Sequence, residues 1–324
     1  MGASATPPRA EAPGRAGIAV AASGGRDSTA LLHATVRAAR ALGVQVHALH
    51  VQHGLHPDAQ VWADRVRGQC RRWGAAFHIT RLTTAPAAAE SVEAWARRER
   101  YAALAAMAQA AGCDAVLLAQ HRRDQAETVL LQLMRGGGAR GLAGMPRVVQ
   151  RAGLQWLRPW RDQPRAAIEA YLARHRLRWV DDPSNSDPRF ARNRLQRQAW
   201  SALDAAFPQA EAALAGAARR AAEEARALLE LAQLDAAACC DAEGLRRDRW
   251  RALSPARRAL LLRHLVEAWT GRGVPGSLVQ RLSTELARLP SGRWPAPGGM
   301  LQLRRGHLQF LPDAPASGDG KAHH

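Results

Sequence analysis

The sequence predicts an α/β protein, a parallel doubly wound sheet followed by a smaller, mainly helical α+β domain. Three observations carry that reading. Short apolar segments alternate with helical ones from residue 17 to residue 134, the pattern of strands covered on both faces by crossover helices. The alternation stops near residue 145, and helical patterns then dominate. At 324 residues the chain exceeds one ordinary core and suits two.

Residues 17–22 (GIAVAA) form a short apolar run that ends at Ser23-Gly24-Gly25 and read as the first strand. Residues 27–41 carry Leu31, Leu32, Thr35 and Val36 on one side at helical spacing. Strand-like segments follow at 44–51, 77–82 and 115–119, and helical ones at 58–73, 91–111 and 124–134. Residues 163–175 predict a helix with Pro164 near its first position, where its missing N–H would be unpaired anyway. Residues 181–188 are turn chemistry, and 208–240 read as one long helix rich in Ala and Glu. Ser254-Pro255 opens another helix, and 300–311 reads as a hairpin turning at Arg305-Gly306. Residues 1–15 are expected to be a disordered leader and 313–324 a disordered tail. Between them come a catalytic domain at 16–205, a connecting helix at 206–243 and a substrate-binding domain at 244–312.

Apolar residues make up 47% of the chain, with two Tyr, four Phe and ten Trp, so tryptophan is expected to fill much of the cores. No run approaches the ~18 apolar residues of a membrane span. Cys70, Cys113, Cys239 and Cys240 include no C-x-x-C pair, which with no secretory signal predicts a reduced cytoplasmic protein. The net charge is +18, from 46 basic against 28 acidic residues. The only lysine is Lys321, which looks like a genome-wide bias, so Arg in place of Lys carries no weight. The excess of positive charge does carry weight, and favours a polyanion such as nucleic acid.

A strand, then Ser23-Gly24-Gly25, then a helix is an anion-binding arrangement. The glycines let backbone approach a phosphate, and the helix amino end offers unpaired N–H groups with a partial positive charge. Ser23 and Ser28 add hydroxyls. It is not a Walker loop, which needs a lysine, and Ala21 breaks the G-x-S-x-G of an acyl-transfer serine. Asp27 is a carboxylate where phosphates should sit, and reads as a Mg²⁺ contact or a base. Gly136 to Gly141 also matches G-x-G-x-x-G, but follows a helix instead of a strand and so fails the context of a dinucleotide fingerprint. It reads as a flexible loop beside Arg135.

Strand, Ser-Gly-Gly-x-Asp-Ser, helix resembles the signature of the PP-loop ATP pyrophosphatases, an adenine nucleotide alpha-hydrolase-like fold. That resemblance implies cleavage of ATP between the α and β phosphates, with ATP as co-substrate and Mg²⁺ as its companion. His50-Val-Gln-His53-Gly-Leu, Ala96-Arg-Arg-Glu-Arg100-Tyr, Gln120-His-Arg-Arg-Asp124-Gln-Ala-Glu127-Thr, Arg135-Gly-Gly-Gly, Asp182-Pro-Ser-Asn and Arg192-Asn-Arg194 narrow it further. Together, over roughly residues 17–200, they resemble the tRNA(Ile)-lysidine synthases. The resemblance implies adenylation of the carbon-2 oxygen of the first anticodon cytidine of tRNA(Ile) with a CAU anticodon, then displacement of AMP by the ε-amine of free lysine. It assigns ATP to Ser23, Gly24, Gly25, Arg26, Asp27, Ser28, His50 and His53, and makes Asp27 and Arg100 catalytic. Lysine would meet Asp124 and Glu127, three apart on one helix face, with Arg100 for its carboxylate. The tRNA would meet Arg135, Arg189, Arg192, Arg194 and Arg197, and the seven arginines of 246–263 form a second candidate patch. The resemblance allows a homodimer and names no metal ligands. Each histidine could equally be ordinary packing or a backbone hydrogen bond.

There are departures. Gln120-His121-Arg122-Arg123-Asp124-Gln125 stands where the family commonly has His-His-x-Asp-Asp-Gln, which leaves a role for Gln120 or Arg123 open. His56 and Gln196 stand where Arg is common, and both are expected to trim tRNA or phosphate contacts without touching the chemistry. The nearest rival, a tRNA thiolase, usually needs cysteine pairs that this chain lacks. A tRNA-binding protein with a relic nucleotide site is the non-catalytic alternative, and the retained acids argue against it.

Overall fold

In the computed structural model, which describes residues 17–52, 58–82, 91–180 and 191–313, the predicted alternation is present. It runs β1 (Gly17–Ala21), α1 (Arg26–Leu42), β2 (Val46–Gln52), α2 (Ala59–Trp73), β3 (Ala76–Arg81), α3 (Val92–Ala110), β4 (Cys113–Leu117) and α4 (Arg122–Met134). Then come α5 (Ala139–Leu142), β5 (Val148–Arg151), β6 (Leu154–Leu157), α6 (Arg165–Arg174), α7 (Ala191–Arg194), a π-helical turn at Leu195–Ala199, α8 (Trp200–Ala206) and α9 (Ala210–Cys239). The chain divides into two compact units, Met1–Ala222 and Glu223–His324, and α9 belongs to both.

The sheet of the first unit has the order β3-β2-β1-β4-β6-β5. Alternate residues of β1 serve opposite cores, as the pleat requires. Ala19 joins Leu49, Val116, Tyr101, Leu104 and Ala108 under α3. Val20 joins Ala48, Leu31, Leu32, Val36, Val66 and Cys70 under α1 and α2. Because β1 pairs with β2 on one side and β4 on the other, the strand order reverses between β1 and β4. The crevice at their carboxyl ends is the natural ligand site of such a sheet.

The all-parallel expectation needs one correction. β5 runs antiparallel to β6 and closes the edge, through a two-residue turn with Ala152 at φ 54° and Gly153 at φ 73°. Two left-handed residues in succession suit the strand twist of a hairpin. The strands are only four residues long, too short for alternation to show. The loop expected at residues 136–141 is also partly ordered, since α5 starts inside it.

The second unit continues with β7 (Cys240–Asp241), β8 (Gly244–Arg246), α10 (Arg247–Ala252), α11 (Pro255–Thr270), α12 (Gly276–Arg288), β9 (Gly292–Ala296), β10 (Gly299–Arg304) and β11 (His307–Pro312). The predicted hairpin is β10–β11, but it sits in a five-stranded antiparallel sheet, β7-β8-β11-β10-β9, richer in strand than expected. Trp250 and Trp294 are fully buried in its core with Leu261, Leu262, Leu282 and Leu301. No helix among the described residues is long and apolar enough to cross a membrane.

Candidate active site at the ends of β1 and β4

Backbone and hydroxyls fix the turn after β1. Gly24 has φ 88°, and a Cβ there would lie 3.0 Å from Val66 Cγ2, so only glycine fits without strain. Its carbonyl accepts from Thr29 Oγ1 at 3.1 Å and from the Val180 amide at 2.9 Å. Ser23 and Ser28 hydroxyls meet at 3.0 Å, and Ser28 Oγ donates to the Gly25 carbonyl at 3.0 Å. Gly25 is then the N-cap of α1, whose first turn carries Asp27.

Arg26 is used within the protein. Its Nε donates to Asp27 Oδ1 and its Nη1 to Glu169 Oε1, both at 3.1 Å. His50, expected at the nucleotide, is a buried strand residue whose Nδ1–H donates to the Ala22 carbonyl at 2.7 Å. Burial holds its pKa below the usual value. Its place is to brace the start of the loop from within, the packing alternative. His53 and Arg189, with Asp182 to Asn185, lie outside the described residues.

The turn after β4 meets this loop. His121 caps α4, with Nδ1 accepting from the Arg123 amide at 3.2 Å while Asp124 Oδ2 accepts from the His121 amide at 2.9 Å. Since Nδ1 is an acceptor, the neutral ring carries its proton on Nε2. That atom stands 3.7 Å from Asp27 Oδ2 and 3.6 Å from Asp124 Oδ2. Burial works to lower the His121 pKa, but the two aspartates outweigh it and the pKa is raised. Burial works to raise that of Asp27, yet His121 and Arg26 bring it down to about 2.

Asp124 and Glu127 share a face of α4 as expected, but only Asp124, with its side chain 20% exposed, is open. The side chain of Glu127 is 1% exposed. Gln196 Nε2 donates to both its oxygens, at 2.9 and 3.0 Å, and Arg192 Nε lies 3.5 Å from Oε2. Gln196 is therefore a hydrogen-bond partner of Glu127, where the sequence pointed to a tRNA or phosphate contact. Arg192 is drawn inward too, its Nη2 donating to Thr128 Oγ1 at 2.8 Å, so it is not simply a phosphate contact. Burial and the charge of Asp124 push the Glu127 carboxyl up to about 7. Arg100 is exposed and pairs with no acid among the described residues. Surrounding protein and the nearby Arg97 and Arg192 lower its pKa. A cation so placed is suited to a ligand carboxylate or phosphate.

Arg123, which stands where the family commonly has Asp, and its neighbour Arg122 are both engaged within the protein. Glu211, in the first turn of α9, accepts from Arg122 Nε at 2.8 Å and from Arg123 Nε at 2.9 Å. Arg123 also reaches Asp204 at 3.0 Å and stacks 4.3 Å over Trp200. Gln120 Oε1 is buried without a partner. Arg135, Arg194 and Arg197 are exposed. In the second unit, Arg246 and Arg257 pair with Asp248 and Asp235. Arg247, Arg249 and Arg258 donate to the carbonyls of Leu286, Ala238 and Arg251. Much of that cluster thus holds its own fold, although the carbonyl-bound arginines keep their charge.

The family described as a PP-loop domain matches residues 7–203. The tRNA(Ile)-lysidine synthase of Ralstonia nicotianae is 43% identical over 279 residues, 85% of this chain and 59% of that protein. The one of Bordetella pertussis is 39% identical over 313 residues, 93% of this chain and 97% of that protein. The chain therefore spans about three-fifths of the first relative's length and nearly all of the second's. Among solved structures, a U34-tRNA thiolase of Methanococcus maripaludis superposes with a TM-score of 0.55 over 64% of this chain and 72% of that one. At 15% identity it is a likeness of fold alone.

Proposed function

This chain belongs to the tRNA(Ile)-lysidine synthase family of PP-loop proteins, and from that premise we propose that it joins lysine to the first anticodon cytidine of tRNA(Ile) with a CAU anticodon, at the expense of ATP. The observation that supports the reading is the approach of His121 to both Asp27 and Asp124, which joins the loop after β1 to the start of α4. In the first step the carbon-2 oxygen of cytidine attacks the α-phosphorus of ATP and pyrophosphate leaves. In the second the lysine ε-ammonium gives up a proton to solvent, the resulting amine attacks carbon 2, and AMP leaves with that oxygen as the nitrogen sheds a further proton to water.

The residues divide accordingly. The amino end of α1, with Ser23 and Ser28, faces pyrophosphate. Asp124 meets the lysine ammonium and Arg100 its carboxylate. A carboxyl held near 2 is a weak proton acceptor, so the role of base expected for Asp27 gives way to that of a fixed charge. Mg²⁺ takes one or two carboxylates beside substrate phosphates and keeps several waters. Asp27, ionised and 29% exposed next to the loop, suits one such contact. Among the described residues no three His, Cys, Asp or Glu side chains converge to hold an ion by themselves. Thiolation draws no support from the thiols, since burial pushes Cys70 up to about 11 and also raises Cys113. The cytoplasm is the expected compartment, and a homodimer the assembly to check by sedimentation.

The test is incubation with ATP, Mg²⁺, lysine and a tRNA(Ile) bearing CAU, followed by nucleoside mass analysis. Lysidine should form only when all four are present. Its absence, or equal product without lysine, overturns the reading.

A further inference from the structure

The turn after β6 buries a cation that neither the ATP loop nor the amino-acid pocket uses. Arg158, the first residue past β6, is only 5% exposed. Among the described residues its guanidinium meets no acid and makes one hydrogen bond, from Nη1 to the Pro146 carbonyl at 3.0 Å, while its Nε is buried without a partner. Beside it Arg161 Nη1 donates to the Met145 carbonyl at 3.4 Å, and the Arg158 amide donates to the Arg147 carbonyl at 2.9 Å. Both guanidiniums are thus drawn to successive carbonyls of one turn. Asp162 spends its carboxylate on Arg147 and on Arg161, the latter at 3.1 Å. Among the described residues, then, Arg147, Arg158 and Arg161 have a single acid between them.

We propose that Arg158 and Arg161, with the exposed Arg147 beside them, form a phosphate-binding site next to the active crevice, whose occupant is a backbone phosphate of the substrate RNA adjoining the nucleotide to be modified. The inference rests on the tRNA substrate proposed above. To hold a carbonyl, a neutral amide would serve. Burying a full charge costs far more than one such bond returns, so the charge answers to something else. A guanidinium whose Nε edge carries no bond is an open fork for an oxyanion. Strand register sets its place. Leu157 pairs with Leu117, and the Leu118 amide donates to the Leu157 carbonyl at 2.8 Å, so Arg158 leaves β6 level with the end of β4. His121 follows shortly after Leu118. At ~4.8 Å between strands and ~3.3 Å per residue, its backbone is roughly 11 Å or less from that of Arg158, within the span of neighbouring nucleotides. The loop after β1, the proposed seat of the ATP phosphates, lies on the far side of β4. That leaves the RNA as the source of a phosphate beside β6. Arg147 and Asp162 are 53% and 51% exposed and their pairing is weak, so both can turn aside as the phosphate reaches the Nε edge.

The experiment measures filter binding of an unmodified tRNA(Ile) transcript bearing CAU, over a series of salt concentrations, to the full-length chain. Arg158→Gln should weaken binding roughly tenfold. Arg158→Lys should recover only part of that loss, since an ammonium keeps the charge but not the fork. In the double variant Arg158→Gln/Arg161→Gln the slope of log affinity against log salt should flatten by about 0.7, one phosphate of a single strand. Turnover at saturating tRNA and the KM for ATP should stay within about twofold. Unchanged affinity and slope in the double variant overturn the site. Full recovery in Arg158→Lys overturns it too, because a diffuse field would then suffice, and so does an equal rise in the KM for ATP. If the Arg158 variants lose their melting transition, Arg161→Gln decides, its side chain being 19% exposed, and unchanged tRNA affinity there overturns the site. Stabilisation of wild type but not of Arg158→Gln by millimolar inorganic phosphate, with tRNA affinity unchanged, overturns RNA as the source. A wild type that makes no lysidine fails the functional reading itself; a wild type that makes it, beside a double variant that binds tRNA equally well, fails only this site.

Discussion

Two acids of one crevice, Asp27 at the amino end of α1 and Glu127 in the second turn of α4, are driven in opposite directions. Burial works to raise both, yet Asp27 is held at about 2 and Glu127 near 7. Company makes the difference more than depth. Asp27 has Arg26 at 3.1 Å and the His121 ring at 3.7 Å. Glu127 has a neutral amide, a guanidinium no nearer than 3.5 Å, and the like charge of Asp124 one turn away. The site thereby keeps one permanent charge and one group that changes charge near neutrality, the separation from which acid and base roles are made.

The largest expected effect is on the permanent charge. Asp27→Asn should lower turnover at least roughly a hundredfold through loss of that fixed charge while tRNA affinity stays within about twofold, as read by single-turnover chemistry and filter binding. A parallel loss of tRNA binding would show that Asp27 shapes the RNA surface instead. The second effect separates the two acids by their pH slopes. The folded pKa of Glu127 lies above its unfolded value of 4.5, so its contribution to stability is full below that value and lost as pH rises through about 7. Relative to wild type, Glu127→Gln should therefore gain roughly 2 kcal/mol on going from about pH 5 to about pH 8. Asp27 has the opposite sign, its contribution being present above 3.8 and lost as pH falls through about 2. Because its side chain is 29% exposed, Asp27→Asn should cost only about 1 kcal/mol at neutral pH. Melting curves at several pH values decide, and slopes of the same sign break the comparison.

How much of this was legible depends on how local each feature is. The Ser23 to Ser28 loop could be read because strand, glycines and helix follow directly in sequence. The shared face of Asp124 and Glu127 could be read because helical period fixes it. His121 was available in part, as a side chain just ahead of a helix, where capping residues sit. Gln196 was not, since no apolar period announces a π-turn and its partner is 69 residues away. The same holds for Arg122 and Arg123, whose acid on α9 is 89 and 88 residues distant. His50 misled because the carboxyl end of a strand offers both a ligand-facing and a core-facing side, and its ring turns to the Ala22 carbonyl. In the second unit the arginine count was plain, but whether each guanidinium meets an acid, a carbonyl or water depends on the packing of α10 to α12.

The smallest expected effect tests whether the two acids can be disturbed one at a time. Glu211 grips Arg122 and Arg123, the two residues that follow the His121 cap. The first turn of α9 therefore anchors the end of α4 that meets Asp27, while Glu127 depends on Arg192 and Gln196. In Glu211→Gln both arginines lose this ionic partner, and among the described residues Arg123 keeps another, Asp204. With all three side chains partly exposed, the loss should be about 1 kcal/mol in chemical denaturation. Looser capping lets the His121 ring drift from Asp27, which should lower turnover roughly threefold at saturating lysine. The pH slope that belongs to Glu127 should not move. If Glu211→Gln flattens that slope as well, the two acids respond as one network, and the contrast between them comes from the whole of α4 instead of from their separate neighbours.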